Sequence, residues 1–186
     1  MNSFQSKHVF VTVGTTKFPQ LIQALTKPKV LKMLKKLNCN FIQVQTGKDF
    51  EGIEFHPNIK ASVRQENDVW YVELPNYNIS IKYNEYFENF QEEIAKSNLV
   101  ISHAGAGSCL DVLRLNKPLI VVVNEDLMDN HQVELASQLQ KNGYLYYCTC
   151  DTLANTLRKD FFALQPYPKP DETLFARYLD KSCGFA

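Results

Sequence analysis

The string LVISHAGAGSCLDVLRL, residues 99–115, holds the densest chemistry in the sequence. An apolar run ends at His103, then Ala104-Gly105-Ala106-Gly107-Ser108 follows, and a helical pattern begins at once. Glycines let the backbone turn sharply and leave room for a ligand against the peptide groups. The first amides of a helix lack internal acceptors, and with the helix dipole they suit a phosphate or diphosphate. Ser108 adds a hydroxyl donor. Asp111, three residues on, shares its helical face, where a carboxylate can accept hydrogen bonds from a ribose diol. His103 is the best local candidate for a catalytic base, although contact with a phosphate suits it better. A tight strand-to-helix connection with no ligand would leave the same trace.

Two further segments carry directional polar groups. In NEDLMDNHQVEL, residues 124–135, Asn130, His131 and Gln132 bunch where a helix starts, a grouping suited to sugar hydroxyls. Capping of that helix by Asp129 or Asn130 is the alternative. Gly14-Thr15-Thr16 forms a short polar turn after the first apolar run. Neither familiar phosphate loop is complete. G-x-x-x-x-G-K-[ST] is absent, which argues against P-loop hydrolysis. Gly105-x-Gly107 begins the dinucleotide fingerprint, and Glu125 stands about 20 residues on, but Leu110 occupies the small third position. NAD binding is therefore the weaker alternative.

The elements that must position these groups alternate between strand and helix, the pattern of a parallel sheet flanked by helices. Strands are predicted at 8–13, 41–45, 59–64, 69–73, 79–83, 99–102, 118–123 and 144–148. Helices are predicted at 19–37, broken or kinked at Pro28, and at 85–95, 107–115, 131–141, 152–159 and 171–181. Asp151 or Thr152 is the expected cap of the helix at 152. Short connections between 59 and 83, including the turn Glu66-Asn67-Asp68, favour antiparallel pairing there, so the sheet is expected to be mixed. An open α/β sheet binds ligands at the carboxyl ends of its strands. All three polar segments fall at that edge.

At 186 residues the chain fits one domain with a short tail: residues 1–165 as an α/β domain, and 166–186 as a proline-rich linker with a C-terminal helix. Hydrophobic residues make up 45% and charged residues 22%, enough for a core. Twenty basic residues balance twenty acidic ones, so nothing favours nucleic acid or an anionic membrane as a partner. No secretory signal pattern and no membrane-spanning run is legible. The five cysteines, 39, 109, 148, 150 and 183, read as reduced core residues rather than disulfides or a zinc site.

Three strings together resemble the UDP-N-acetylglucosamine transferase subunits of dolichol-linked oligosaccharide assembly: VFVTVGTT, ISHAGAGS with Asp111 behind it, and NKPLIVVVNEDLMDNHQVELA. Those subunits are relatives of the carboxyl-terminal domain of bacterial undecaprenyl-linked N-acetylglucosaminyltransferases, the glycosyltransferase family 28 type. The resemblance runs from about His8 to about Gly143. It implies a Rossmann-like, donor-binding half of a GT-B glycosyltransferase. Gly14, Thr15 and Thr16 join the donor site, His103, Ala104, Gly105, Ala106, Gly107 and Ser108 meet the diphosphate, Asp111 the ribose, and Asn130, His131 and Gln132 the N-acetylglucosamine. Bacterial relatives commonly carry Glu where Asp111 stands, so the shorter side chain has less reach.

The implied reaction moves N-acetylglucosamine from UDP-N-acetylglucosamine to N-acetylglucosaminyl-diphospho-dolichol with inversion, giving a β1,4-linked product. The implied partner is a membrane-anchored, acceptor-binding subunit that holds a cytoplasmic chain on the cytosolic face of the endoplasmic reticulum. A two-domain cleft enzyme needs about twice this length, which independently points to a partner. No D-x-D or His/Asp cluster suggests a divalent cation, so neither metal nor cofactor is expected. A nucleotide-binding oxidoreductase domain and a non-catalytic adaptor of the same fold are the competing readings. The stripe Leu174, Phe175, Tyr178 and Leu179 would pack on its own domain or on the partner.

Overall fold

A computed structural model describes residues 8–48, 50, 52–124 and 130–168, with the backbone alone at 130–132. The helix expected at 171–181 and its apolar stripe lie outside the described residues, as does Cys183.

The strands are β1 (His8–Thr12), β2 (Phe41–Gln45), β3 (Ser62–Glu66), β4 (Val69–Leu74), β5 (Ile79–Asn84), β6 (Leu99–His103), β7 (Leu119–Val122) and β8 (Tyr146–Cys148). They form one sheet in the order β3-β4-β5-β2-β1-β6-β7-β8. The neighbours β5-β2-β1-β6-β7-β8 run parallel, while β3-β4 and β4-β5 are antiparallel. The mixed sheet expected from the short connections is therefore present, with its antiparallel part in the N-terminal half.

Helices α1 (Pro19–Leu25), α2 (Pro28–Lys36), α3 (Phe90–Lys96), α4 (Ala106–Arg114), α5 (Asn130–Lys141) and α6 (Leu153–Thr156) cover both faces. Side chains alternate along each strand, and the two sets separate cleanly. Val9, Val11, Ile42, Val44, Ile101 and Val122 pack with α1, α2 and α6 on one face. Phe10, Val100 and Val121 pack with Ile94 of α3 and with α4 and α5 on the other. Burial on both faces explains why these strands read as continuous apolar runs.

Several boundaries differ from expectation for local physical reasons. Pro28 splits the first helix outright: it opens α2 at the first helical position, and Lys27 before it is extended, with φ −64° and ψ 132°. The helix expected from Glu85 begins at Phe90, because Asn89 caps it by accepting a hydrogen bond from the Glu92 amide. Strand β3 starts at Ser62 instead of Ile59, and all five of its residues are exposed at the sheet edge. The cap residue of α6 is Thr152, but its side chain does not cap the helix: the hydroxyl accepts from the Thr149 amide instead.

The start of the proline-rich segment lies against the sheet domain. Gln165 N–H donates to the Gly143 carbonyl at 2.9 Å, and Tyr167 meets Tyr144 edge-on with centroids 5.1 Å apart. Cys39, Cys109 and Cys148 are buried and Cys150 half-buried, and none of the four is in a disulfide. Burial raises the first two to about 12 and Cys148 to about 11, so they remain protonated core residues.

Candidate functional site

The parallel strands all end at one edge, and the polar turns lie there. After β1, Gly14 adopts φ +63°, a left-handed conformation that glycine enters without penalty. Thr16 closes the turn, donating through both its amide (3.2 Å) and its hydroxyl (2.8 Å) to the Val13 carbonyl. Thr15 and Thr16 are exposed.

After β6, Gly105 caps α4 in extended geometry, φ −75° and ψ 122°. The Cys109 amide is the first to find an acceptor in the chain, the Gly105 carbonyl at 3.0 Å. The amides of Ala106, Gly107 and Ser108 find none among the described residues. Ala106 and Gly107 are exposed and Ser108 half-buried. A Cβ on Gly107 would meet nothing within 4 Å, so the helix end opens to solvent. Three unsatisfied N–H groups on a nine-residue helix therefore face an approachable space. Asp111 lies one turn along, with its side chain 33% exposed and 4.0 Å from the Arg114 guanidinium.

His103 differs from the rest of the turn. It is 9% exposed, and its ring is lodged between the two glycine turns. A Cβ on Gly14 would come within 2.5 Å of Cε1, and one on Gly105 would collide with Nε2. Nδ1 is buried without a hydrogen bond of good geometry, although the nearby Thr12 backbone favours its protonated form. Burial outweighs that and lowers the imidazole below its ordinary 6.5, so His103 is neutral at pH 7. Ala104 is buried beside it.

The backbone of Asn130, His131 and Gln132 begins α5, which follows β7 at the same edge. Their side chains lie outside the described residues. The structure thus brings the turns at Gly14 and His103–Ser108 into contact, through the His103 ring, and places the start of α5 on the same edge.

Two features escaped the sequence reading. The first is a buried polar band at the strand ends: Gln43, Gln45, Thr12 and Ser102 are each 6% exposed or less. Its signal was available, since glutamine at alternate positions interrupts the apolar strand β2. The second is a cleft of about 1060 Å³, whose lining includes Lys17, Phe18, Lys48, Phe50, Asn124 and Asp151. It opens at the same edge on the α1 side, and only folding gathers those residues from four separate loops. Among the described residues, no three His, Cys, Asp or Glu side chains gather as a metal site requires, and no helix is long and apolar enough to cross a membrane.

Comparison with known proteins agrees with this geometry. The sequence model of the glycosyltransferase family 28 C-terminal domain matches residues 8–181. The human UDP-N-acetylglucosamine transferase subunit ALG13 is 42% identical over 147 residues, covering 79% of this chain and 11% of that protein. The mouse protein is similarly long, so this chain spans about a tenth of either. The protein of the same name from Saccharomyces cerevisiae is 30% identical, with 96% of this chain and 97% of that protein covered. Among solved structures, an NMR solution structure of ALG13 superposes with a TM-score of 0.68 at 30% identity, covering 94% of this chain and 96% of that one. MurG of Acinetobacter baumannii, at 16% identity, shares the fold with a TM-score of 0.60 over 95% of this chain and 50% of its own. With the mixed Rossmann-like sheet and the open glycine turn in place, the chain belongs to the glycosyltransferase family 28 C-terminal domain family.

Proposed function

We propose that this chain is the donor-binding catalytic subunit of an inverting N-acetylglucosaminyltransferase. Its donor is UDP-N-acetylglucosamine and its acceptor a lipid-linked N-acetylglucosaminyl diphosphate, as in the second sugar addition on dolichol. The observation that carries this reading is the trio of unsatisfied, solvent-facing amides at Ala106, Gly107 and Ser108, with Asp111 one turn behind. Relatives of near-equal length bear the name of a UDP-N-acetylglucosamine transferase subunit, which supports both the donor and the need for a partner.

In this reading the diphosphate sits at the start of α4, braced by Gly14, Thr15 and Thr16, with Ser108 as an added donor. Asp111 holds the ribose, and Asn130, His131 and Gln132 hold the sugar. The acceptor hydroxyl attacks the anomeric carbon as the bond to UDP breaks. Charge that develops on the departing UDP falls on fixed helix-end amides, an arrangement that needs no reorganisation during the reaction. His103, neutral and enclosed, supports the diphosphate turn. The proton of the acceptor hydroxyl goes to a base on the opposite wall, supplied by a membrane-anchored subunit. That subunit holds the chain at the cytosolic face of the endoplasmic reticulum.

The test is transfer of labelled N-acetylglucosamine to a dolichol-type acceptor, with the full chain alone and then with an endoplasmic reticulum membrane fraction depleted of its own copy. Transfer is expected only in the combination, and Gly107→Asp, which sets a carboxylate against the diphosphate, should abolish it. Transfer that survives Gly107→Asp would assign the chain to an adaptor role.

A further inference from the structure

Gly14 is held by a closed loop of hydrogen bonds that reaches it from two strands. Its N–H donates to Thr12 Oγ1 at 2.9 Å. The Thr12 hydroxyl donates to Gln45 Oε1 at 3.2 Å, and Gln45 Nε2 donates back to the Gly14 carbonyl at 3.1 Å. The direction is forced: a carbonyl only accepts, so the Gln45 amide group must face Gly14, and its oxygen must face the threonine. Thr12 and Gln45 are partners in the β1–β2 register, at 0% and 6% exposure. Burying two polar side chains is unfavourable unless their hydrogen bonds are made, and here each bond is spent on fixing a single glycine. That glycine is the one against which the His103 ring rests, and the ring in turn abuts Gly105, the cap of α4.

We propose that Gln45, together with Thr12, is a positioning residue for the donor diphosphate, acting through Gly14 and His103 without touching the ligand. The inference rests on the transferase reading of the site. It assigns donor affinity to a side chain on β2, a strand with no residue in the diphosphate turn. Removing the loop frees the Gly14 turn to shift, the imidazole relaxes into the space, and the helix end loses the wall that sets the diphosphate opposite its amides. Lost pre-organisation of this kind weakens binding without removing any direct contact.

The experiment uses the full chain as wild type, Gln45→Leu, Thr12→Val and Thr12→Ser. Two quantities are read on each: the His103 ring nitrogen and proton NMR signals without ligand, and the dissociation constant for UDP-N-acetylglucosamine, at a temperature where thermal denaturation shows every variant folded. Gln45→Leu and Thr12→Val are expected to move the His103 signals and to weaken donor binding at least tenfold. Thr12→Ser keeps the hydroxyl and should bind within threefold of wild type. Unmoved ring signals, or unchanged donor affinity in folded Gln45→Leu and Thr12→Val, overturn the proposal. A role in stability alone would lower the melting temperature of both variants and leave both readouts in place. Wild type that binds no donor even with the membrane partner present would refute the transferase reading instead, and the ring signals would still decide whether the brace exists.

Discussion

Gly14 and His103 are packed so closely that a single methyl group on the glycine would lie 2.5 Å from Cε1 of the imidazole. One residue comes from the end of β1 and the other from the end of β6, paired neighbours at the centre of the sheet. Their contact couples the first polar turn to the glycine turn that opens α4.

Three glycines at this edge should respond differently to alanine. Gly14→Ala meets both a left-handed backbone and the ring, and should cost about 2 kcal/mol or more. Gly105→Ala meets the ring without the backbone penalty and should also destabilise. Gly107→Ala has open space and sits inside α4, where alanine is the better helix former, so it should be neutral or stabilising by up to about 1 kcal/mol. It should nonetheless weaken donor binding, because the added methyl occupies the approach to the amides. Chemical denaturation and donor titration of the three variants check this ordering.

Acid should expose the buried histidine. Folding lowers the His103 pKa below the 6.5 of an unburied imidazole. Between those two values the unfolded chain binds more protons than the folded one. The stabilising contribution of the neutral ring is therefore complete above about pH 6.5 and declines as pH falls below it. The decline is at most about 1.4 kcal/mol per pH unit. His8, also lowered by burial, adds a shift of the same sign. Denaturation midpoints between pH 7.5 and 5 should thus fall less steeply for His103→Gln than for wild type.

Asp111 should matter to ligand and little to fold. Its side chain is partly exposed and its ion pair with Arg114 is at 4.0 Å, a surface contact worth less than about 1 kcal/mol. Asp111→Asn is expected to change stability by under about 0.5 kcal/mol while weakening UDP-N-acetylglucosamine binding at least tenfold. Calorimetric titration beside a melting curve separates the two effects.

Lys117 ties the connection between α4 and β7 to the end of α3. Its ammonium donates to the carbonyls of Ala95 at 2.6 Å and Ser97 at 2.9 Å, at the end of α3. Hydrogen bonds to a charged group contribute about 1.5–3 kcal/mol each at most. Lys117→Met keeps the stem and loses both, so a loss of about 2 kcal/mol is expected in denaturant unfolding.

The parts of this site that depend on chain-local geometry were legible in the sequence. His103 through Ser108 read as strand, turn and helix because an apolar run, two glycines and a helical period follow one another without a gap. The mixed sheet was legible from the short connections around Asn67 and Asn78, both of which take positive φ. Strand β3 was misplaced because its residues are all exposed, so no apolar alternation marks where pairing begins. The start of α3 was misplaced because the aromatic residues Tyr86 and Phe87 extend the apolar pattern upstream of the Asn89 cap. Gln45 was read only as part of a strand. Its bond to Gly14 joins positions 31 residues apart, and no local pattern reports such a pairing. The same holds for the His103 ring, whose burial depends on Gly14 from the other end of the domain.

In the proposed function the amides opening α4 receive the diphosphate of UDP-N-acetylglucosamine. Backbone NMR of the full chain, titrated with that donor to millimolar concentration in the presence of the membrane partner, tests it most directly. The amide signals of Gly105 to Asp111 and of Asn130 to Gln132 are expected to shift together, with the largest changes at Ala106, Gly107 and Ser108. Signals that stay fixed at those residues, under the same conditions that support transfer, would contradict it.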